Sequence, residues 1–115
     1  MKETNGTLHY KGKDYALVFD LNVMEQIQDE YGTLDKWGQL TDGKDGEVNA
    51  KAVIFGFMCM INEGLEIENE ENGTSIPLFT RKQVGRLITE VGLMNATSTL
   101  NETVVNSAGD ESKNT

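Results

Sequence analysis

The sequence predicts an α+β fold that is mostly α-helical, with an N-terminal β-hairpin, about four to five helices and a disordered C-terminal tail. Three observations support this prediction. Two β-prone runs flank a glycine near the N-terminus, later segments repeat apolar residues at helical spacing between capping residues, and the chain end is almost entirely polar. A chain of 115 residues fits one domain, which we assign to residues 1–106, with residues 107–115 as the tail.

The hairpin is predicted from residues 7–10 and 14–19, two β-prone runs on either side of Lys11-Gly12-Lys13. Gly12 can adopt the positive φ that a tight connection requires. Because an isolated two-stranded ribbon is only marginally stable in water, we expect the hairpin to pack against the helices that follow.

The first two helices are predicted from caps and apolar stripes. Either Asp20 or Asn22 can cap the first helix, and Gly32 is typical of a helix end. A short second helix starts at Thr33. The apolar residues at helical spacing are Val23, Met24, Ile27 and Tyr31 in the first helix and Leu34, Trp37 and Leu40 in the second.

The third helix, predicted over residues 48–63 with Gly64 as its C-terminal stop, is the most apolar segment of the chain. Apolar side chains surround nearly all of it, and Phe55 and Cys59 lie on the far side of its main apolar arc. Such a helix lies either in the centre of the core or beneath a partner. Both interpretations stay open at this point.

The last third of the chain is predicted to contain an acidic loop and two helices. Residues 66–74 form the loop, and a fourth helix begins at Thr80, which has the spacing of a capping box with Gln83. That helix has the cleanest amphipathic pattern in the sequence and ends at Gly92. A final helix is predicted over residues 95–106.

The sequence offers few groups for catalysis or metal binding. Its one Cys and one His, Cys59 and His9, fall in a hydrophobic helix and in the hairpin, so we expect no nucleophile–base pair. Residues 68–73 resemble the first half of an EF-hand loop, but Phe79 stands where a bidentate Glu is required. We therefore predict a protein that is not an enzyme and has neither a cofactor nor a metal ion.

The net charge and the hydropathy of the sequence indicate which kinds of partner the protein does not bind. With 10 basic and 19 acidic residues the formal net charge is −9, which disfavours binding of nucleic acid through a basic face. No segment is long and apolar enough for a membrane span, and the N-terminus lacks the apolar stretch of a secretory signal. We therefore expect a cytoplasmic protein that binds neither nucleic acid nor a membrane.

The order of the segments resembles one protein family. A hairpin L-x-Y-x-G-K-x-Y-x-L is followed by F-D-L-N-V-M-E-Q-I-Q-D-E-Y-G, a short L-D-K-W helix, a D-G-K-x-G turn, a helix ending N-E-G, an acidic loop and T-R-K-Q-V-G-R-L-I-T-E-V-G. Over residues 8–105 this order is similar to the tail assembly chaperones of long-tailed (siphovirus-type) bacteriophages and prophages of Gram-positive hosts.

The resemblance implies a non-enzymatic role in tail morphogenesis, in the cytoplasm of the bacterial host and outside the mature virion. Such chaperones bind and solubilise the tape-measure protein and help recruit tail-tube subunits. Many also exist in a longer form made by programmed ribosomal frameshifting, which is a further implied partner. The only Lys-Asn pair here, Lys113-Asn114, has codons that can form a slippery adenine run near the chain end.

We place the candidate client-binding surface on Phe55 and Cys59, with Trp37 and Leu40 nearby. Core packing is the competing interpretation for Trp37. Met and Phe side chains adapt well to apolar clients, and strong negative charge would keep a complex in solution. Burial of the third helix by a partner would also fit a homo-oligomer.

Two other functions stay open. One is an acidic mimic of DNA that blocks a nuclease or a repressor, and the other is a small prophage inhibitor or binding module. A DNA mimic needs its acids in an ordered stripe, whereas the sequence predicts Glu66, Glu68, Glu70 and Glu71 in one loop.

Overall fold

The structure, a computed structural model, describes residues 6–44 and 47–113. In chain order its elements are the strands β1 (Gly6–Tyr10) and β2 (Lys13–Leu17) and the helices α1 (Leu21–Tyr31), α2 (Leu34–Thr41), α3 (Ala50–Asn72), α4 (Arg81–Val91) and α5 (Leu93–Lys113). The predicted fold class, an N-terminal hairpin followed by helices, is confirmed.

The hairpin is a tight antiparallel pair in which Leu8 lies opposite Tyr15. Its turn has positive φ at both Lys11 (51°) and Gly12 (77°), the combination found in type I′ turns, whose twist matches that of the strands. Lys13 belongs to β2, so the strand begins and ends earlier than the predicted run of residues 14–19.

Side-chain caps begin α1 and α2 where the sequence suggests. Asp20, not Asn22, caps α1, because its carboxylate accepts the N–H of Val23 at 3.1 Å. Thr33 caps α2 in the same way by accepting the N–H of Lys36. Residues 45 and 46 of the turn that follows α2 lie outside the described residues.

α3 is longer than predicted. It passes through Gly64 and ends at Asn72, where Gly73 takes the left-handed conformation (φ 66°). A Cβ on Gly64 would overlap the carbonyl oxygen of Ala16, so this glycine allows β2 to approach the helix closely. The predicted stop at Gly64 is therefore wrong, and so is the acidic loop, because residues 66–72 form the last turns of α3.

α4 and α5 complete the helical part of the chain. The predicted capping box is confirmed, since Thr80 and Gln83 each accept the other's backbone N–H. α5 continues past the predicted end at residue 106 as far as Lys113. Ser107, which we assigned to the tail, is buried and donates its hydroxyl hydrogen to the carbonyl oxygen of Phe19 at 3.0 Å. Ser107 therefore belongs to the domain, and residues 114–115 lie outside the described chain.

The core forms around α3, which contacts β2 and every other helix. Side chains from all of these elements are fully buried against it. This favours the interpretation of α3 as a central core helix. The largest fully buried apolar side chains are Phe57, Leu17, Ile27, Met60, Ile61, Leu87, Leu100, Val23, Val53 and Val84.

Candidate functional site

Two of the four predicted client-binding residues lie in the core. Trp37 is buried, its indole Nε1 donates to the carbonyl oxygen of Ala52 at 3.0 Å, and its ring stacks on Phe19 with centroids 6.3 Å apart. Cys59 is also buried, and burial raises the pKa of its thiol to about 11. Little of either side chain is therefore exposed in this fold, and a role of Trp37 and Cys59 in client binding stays a prediction.

The other two predicted residues reach the surface. Phe55 is half-buried and makes an edge-to-face contact with Tyr31 of α1, with ring centroids 5.8 Å apart. Leu40, near the end of α2, is 36% exposed. A role in client binding stays a prediction for Phe55 and Leu40, and the structure supplies surface for it at both positions.

An open groove of about 980 Å³ lies between α3 and α4. We call it the α3–α4 groove. Its α3 residue, Ile54, directly precedes Phe55 in the sequence. Its lining consists of one α3 residue and six residues of α4: Ile54, Arg81, Lys82, Gly85, Arg86, Thr89 and Glu90.

The charge of Arg81, one of the groove residues, acts on the Tyr31 hydroxyl of α1. Burial and the Glu30 carboxylate raise the pKa of the Tyr31 hydroxyl, whereas the Arg81 guanidinium acts in the opposite direction.

The basic side chains of the groove are exposed and lack acidic partners among residues 6–44 and 47–107. The one acid–base contact in that part of the chain joins His9 and Asp14 of the hairpin, at 2.7 Å. Arg81, Lys82 and Arg86 therefore give α4 a positive local potential on a chain whose net charge is −9.

The positive surface extends to the hairpin. Arg86 also lines a smaller cavity of about 270 Å³, together with Tyr10, Lys11, Phe79 and Gln83. The Nζ atom of Lys11 lies 5.4 Å from the ring centroid of Tyr10, within the range of a cation–π contact. The hairpin turn and α4 thus share one basic side of the molecule.

An acidic cavity of about 340 Å³ has the opposite character. It lies where α1 faces α3, and Glu25, Glu63 and Glu66 contribute to its lining. A hydrogen bond with the Asp20 carboxyl group, together with burial, raises the pKa of Glu63 to about 7. The Asn22 amide donates to Glu63 Oε2 at 3.0 Å and lowers that pKa in part. Glu63 therefore carries a proton over much of the range below neutral pH.

The described part of the chain contains neither a metal-binding cluster nor a membrane-spanning helix. Residues 6–44 and 47–113 contain no group of three His, Cys, Asp or Glu residues placed to hold a metal ion. The EF-hand resemblance has no structural counterpart, because residues 68–72 are helical. None of the described helices combines the length and the apolar character needed to cross a bilayer.

Comparison of the chain with protein-family models, curated proteins and solved structures finds no match. The candidate site therefore rests on the geometry of the α3–α4 groove. Sequence reasoning missed the groove, although a signal was present. Three of the chain's 10 basic residues lie on α4, opposite the buried stripe that includes Val84 and Leu87. They are Arg81, Lys82 and Arg86.

Proposed function

We propose that this protein is a tail assembly chaperone, which binds and solubilises a tape-measure protein and helps recruit tail-tube subunits in the bacterial host. The observation that carries the proposal is the order of sequence segments over residues 8–105, from the hairpin to the last helix. The hairpin-plus-helices fold has the outline that this resemblance implies.

The surface of the domain suits the binding of an apolar, aggregation-prone client. Besides the α3–α4 groove and Phe55, three side chains are largely exposed: Leu21 (78%), Met94 (71%) and Val105 (66%). A net charge of −9 keeps a complex between such surfaces and a client in solution. A longer frameshifted form, if made at Lys113, would continue from the end of α5.

A genetic experiment tests this function. In a phage or prophage that encodes the chain, an in-frame deletion is compared with the same deletion complemented from a plasmid. We expect the deletion strain to yield filled heads without tails and a tape-measure protein that sediments with insoluble material. Complementation restores both. Normal tails in the uncomplemented strain would contradict the proposal.

A DNA-mimic inhibitor is the second candidate, and one observation favours it. Glu63, Glu66 and Glu70 fall at i, i+3 and i+7 of α3, so the acids have the order of a helix rather than of a loop. The basic surface of α4 opposes this function, because DNA presents no such positive region. Stoichiometric inhibition of a host nuclease or repressor, relieved by charge removal at these acids, would support the mimic over the chaperone.

A further inference from the structure

We propose that the α3–α4 groove receives an acidic amphipathic helix of the client protein. This inference rests on the proposed function, because it takes the client to be the source of that helix. It adds the chemistry of the segment that is bound and the residues that select it.

Gly85 is the first reason for this assignment. Glycine inside a helix is less favourable than alanine. A Cβ on Gly85 would meet only Cδ1 of Ile54, at 3.9 Å, which is an ordinary contact. At Gly56 and Gly64, by contrast, the packing of the domain excludes a side chain. The bare backbone of Gly85 in an open groove is suited to the close approach of another chain.

The rest of the lining provides an apolar floor of suitable length. Ile54 is half-buried there. The Thr89 hydroxyl donates to the carbonyl oxygen of Gly85 at 2.9 Å, so its hydrogen is already bonded within α4. The methylene stems of Arg81 and Arg86 add apolar surface beneath their charges. α4 has 11 residues, so the groove accommodates about three turns of a bound helix.

The charges of the groove lining indicate which kind of helix binds there. Arg81, Lys82 and Arg86 lie along the α4 side and have no acidic partner among residues 6–44 and 47–107. An acidic helix neutralises them, whereas a basic helix meets repulsion at the same positions. Glu90 is the one acidic residue of the lining and marks the C-terminal end of the groove. The favoured helix therefore carries acids along most of the contact.

Single-stranded nucleic acid fits this lining less well. Proteins that bind it combine cations with aromatic rings on which bases stack. The lining contains an isoleucine, a glycine and a threonine between its charged residues, and no aromatic ring. An apolar floor with a cationic rim instead matches a helix that has one apolar and one acidic face.

The test measures the binding of two dye-labelled synthetic helices that share one leucine–alanine stripe and differ only in glutamate or lysine flanks. We expect the glutamate peptide to bind the full chain at least about ten-fold more tightly than the lysine peptide. Gly85→Leu, which fills the groove, and Arg86→Glu should each weaken that binding by about ten-fold or more. Circular dichroism and urea unfolding establish that each variant is folded.

Matched controls exist in α2. Gly38 also lies inside a helix with nothing within 4 Å of an added Cβ, and Lys36 is an exposed helical cation. Gly38→Leu and Lys36→Glu repeat the same changes away from the groove, and we expect both to leave peptide binding unchanged.

Several results would overturn the proposal. These are no measurable binding of the glutamate peptide, equal binding of both peptides, and binding that is insensitive to Gly85→Leu and Arg86→Glu. Two further results would assign the groove to another occupant if the peptide also fails to bind. One is binding of short single-stranded DNA that is lost in Arg86→Glu, and the other is self-association in sedimentation that is lost in the same variant. If wild type and Arg86→Glu solubilise the tape-measure protein equally, only the groove assignment fails. If wild type does not solubilise it, the proposed function itself fails.

Discussion

The indole ring of Trp37 occupies the space that a side chain on Gly56 would need. A Cβ on Gly56 would lie only 2.9 Å from Cε2 and 3.0 Å from Nε1 of that ring. The same Nε1 donates to the carbonyl oxygen of Ala52, one turn earlier in α3. One side chain thus fixes α2 against the central helix, and Trp37 acts as a core residue.

We expect Gly56→Ala to destabilise the protein by about 1–3 kcal/mol, because the added methyl group displaces the indole. Gly38→Ala is the matched control, since an added Cβ there has nothing within 4 Å. It should be neutral or stabilise the fold by up to about 1 kcal/mol through helix propensity. Urea unfolding measures both. Equal stability of the two variants would contradict the packing described for α2 and α3.

Glu63 should make stability depend on pH. Its pKa in the folded protein, about 7, exceeds the ordinary 4.5, so the native state holds this proton more tightly than the unfolded chain does. The resulting stabilisation is complete below about pH 4.5 and is lost as the pH rises through about 7. Glu63→Gln keeps a hydrogen-bond donor for Asp20 without a titrating proton. We expect the variant to exceed wild type in stability at about pH 8 by on the order of 1 kcal/mol, allowing for solvent screening.

The measurement is urea unfolding at several pH values between about 4 and 8. Glu66→Gln is the control, because Glu66 lines the same acidic cavity and raises the pKa of Glu63 only through its charge. The pH dependence should flatten in Glu63→Gln and largely persist in Glu66→Gln. An unchanged profile in Glu63→Gln would show that the Asp20–Glu63 hydrogen bond does not hold the proton.

Cys59 should react slowly in the native protein. Burial limits access and raises the pKa of its thiol to about 11, so little thiolate forms near neutral pH. We expect labelling by a disulfide reagent to be more than about ten-fold slower in buffer than in urea. Rapid native labelling would place Cys59 at the surface and would restore it as a candidate for client binding.

The sequence predicts those elements whose signals are local. The capping box of Thr80 and Gln83 and the turn at Lys11 and Gly12 depend on neighbouring residues, and both form. The length of α3 depends on a distant contact. A glycine inside a helix and one at its end look alike in sequence, and only the approach of Ala16 shows that Gly64 is the former.

The four predicted client-binding residues differ in exposure, and the sequence pattern alone does not separate them. Phe55 does reach the surface, but Cys59 on the same helix is covered, because burial of a nearly all-apolar helix is decided by how its neighbours pack. The α3–α4 groove could not be predicted from either helix alone, because residues of both helices form it. Ile54 and Gly85 are ordinary residues in sequence and form one surface only after α4 packs on α3.

The most direct test of the chaperone function is the solubility of the tape-measure protein of the same phage or prophage. It is expressed alone, with the wild-type chain, and with Arg86→Glu or Lys36→Glu, and its soluble fraction is measured after centrifugation. We predict a pellet when it is expressed alone and a soluble complex with wild type or Lys36→Glu, with clearly less soluble protein for Arg86→Glu. A tape-measure protein that sediments equally with and without the wild-type chain would contradict the function proposed for this protein.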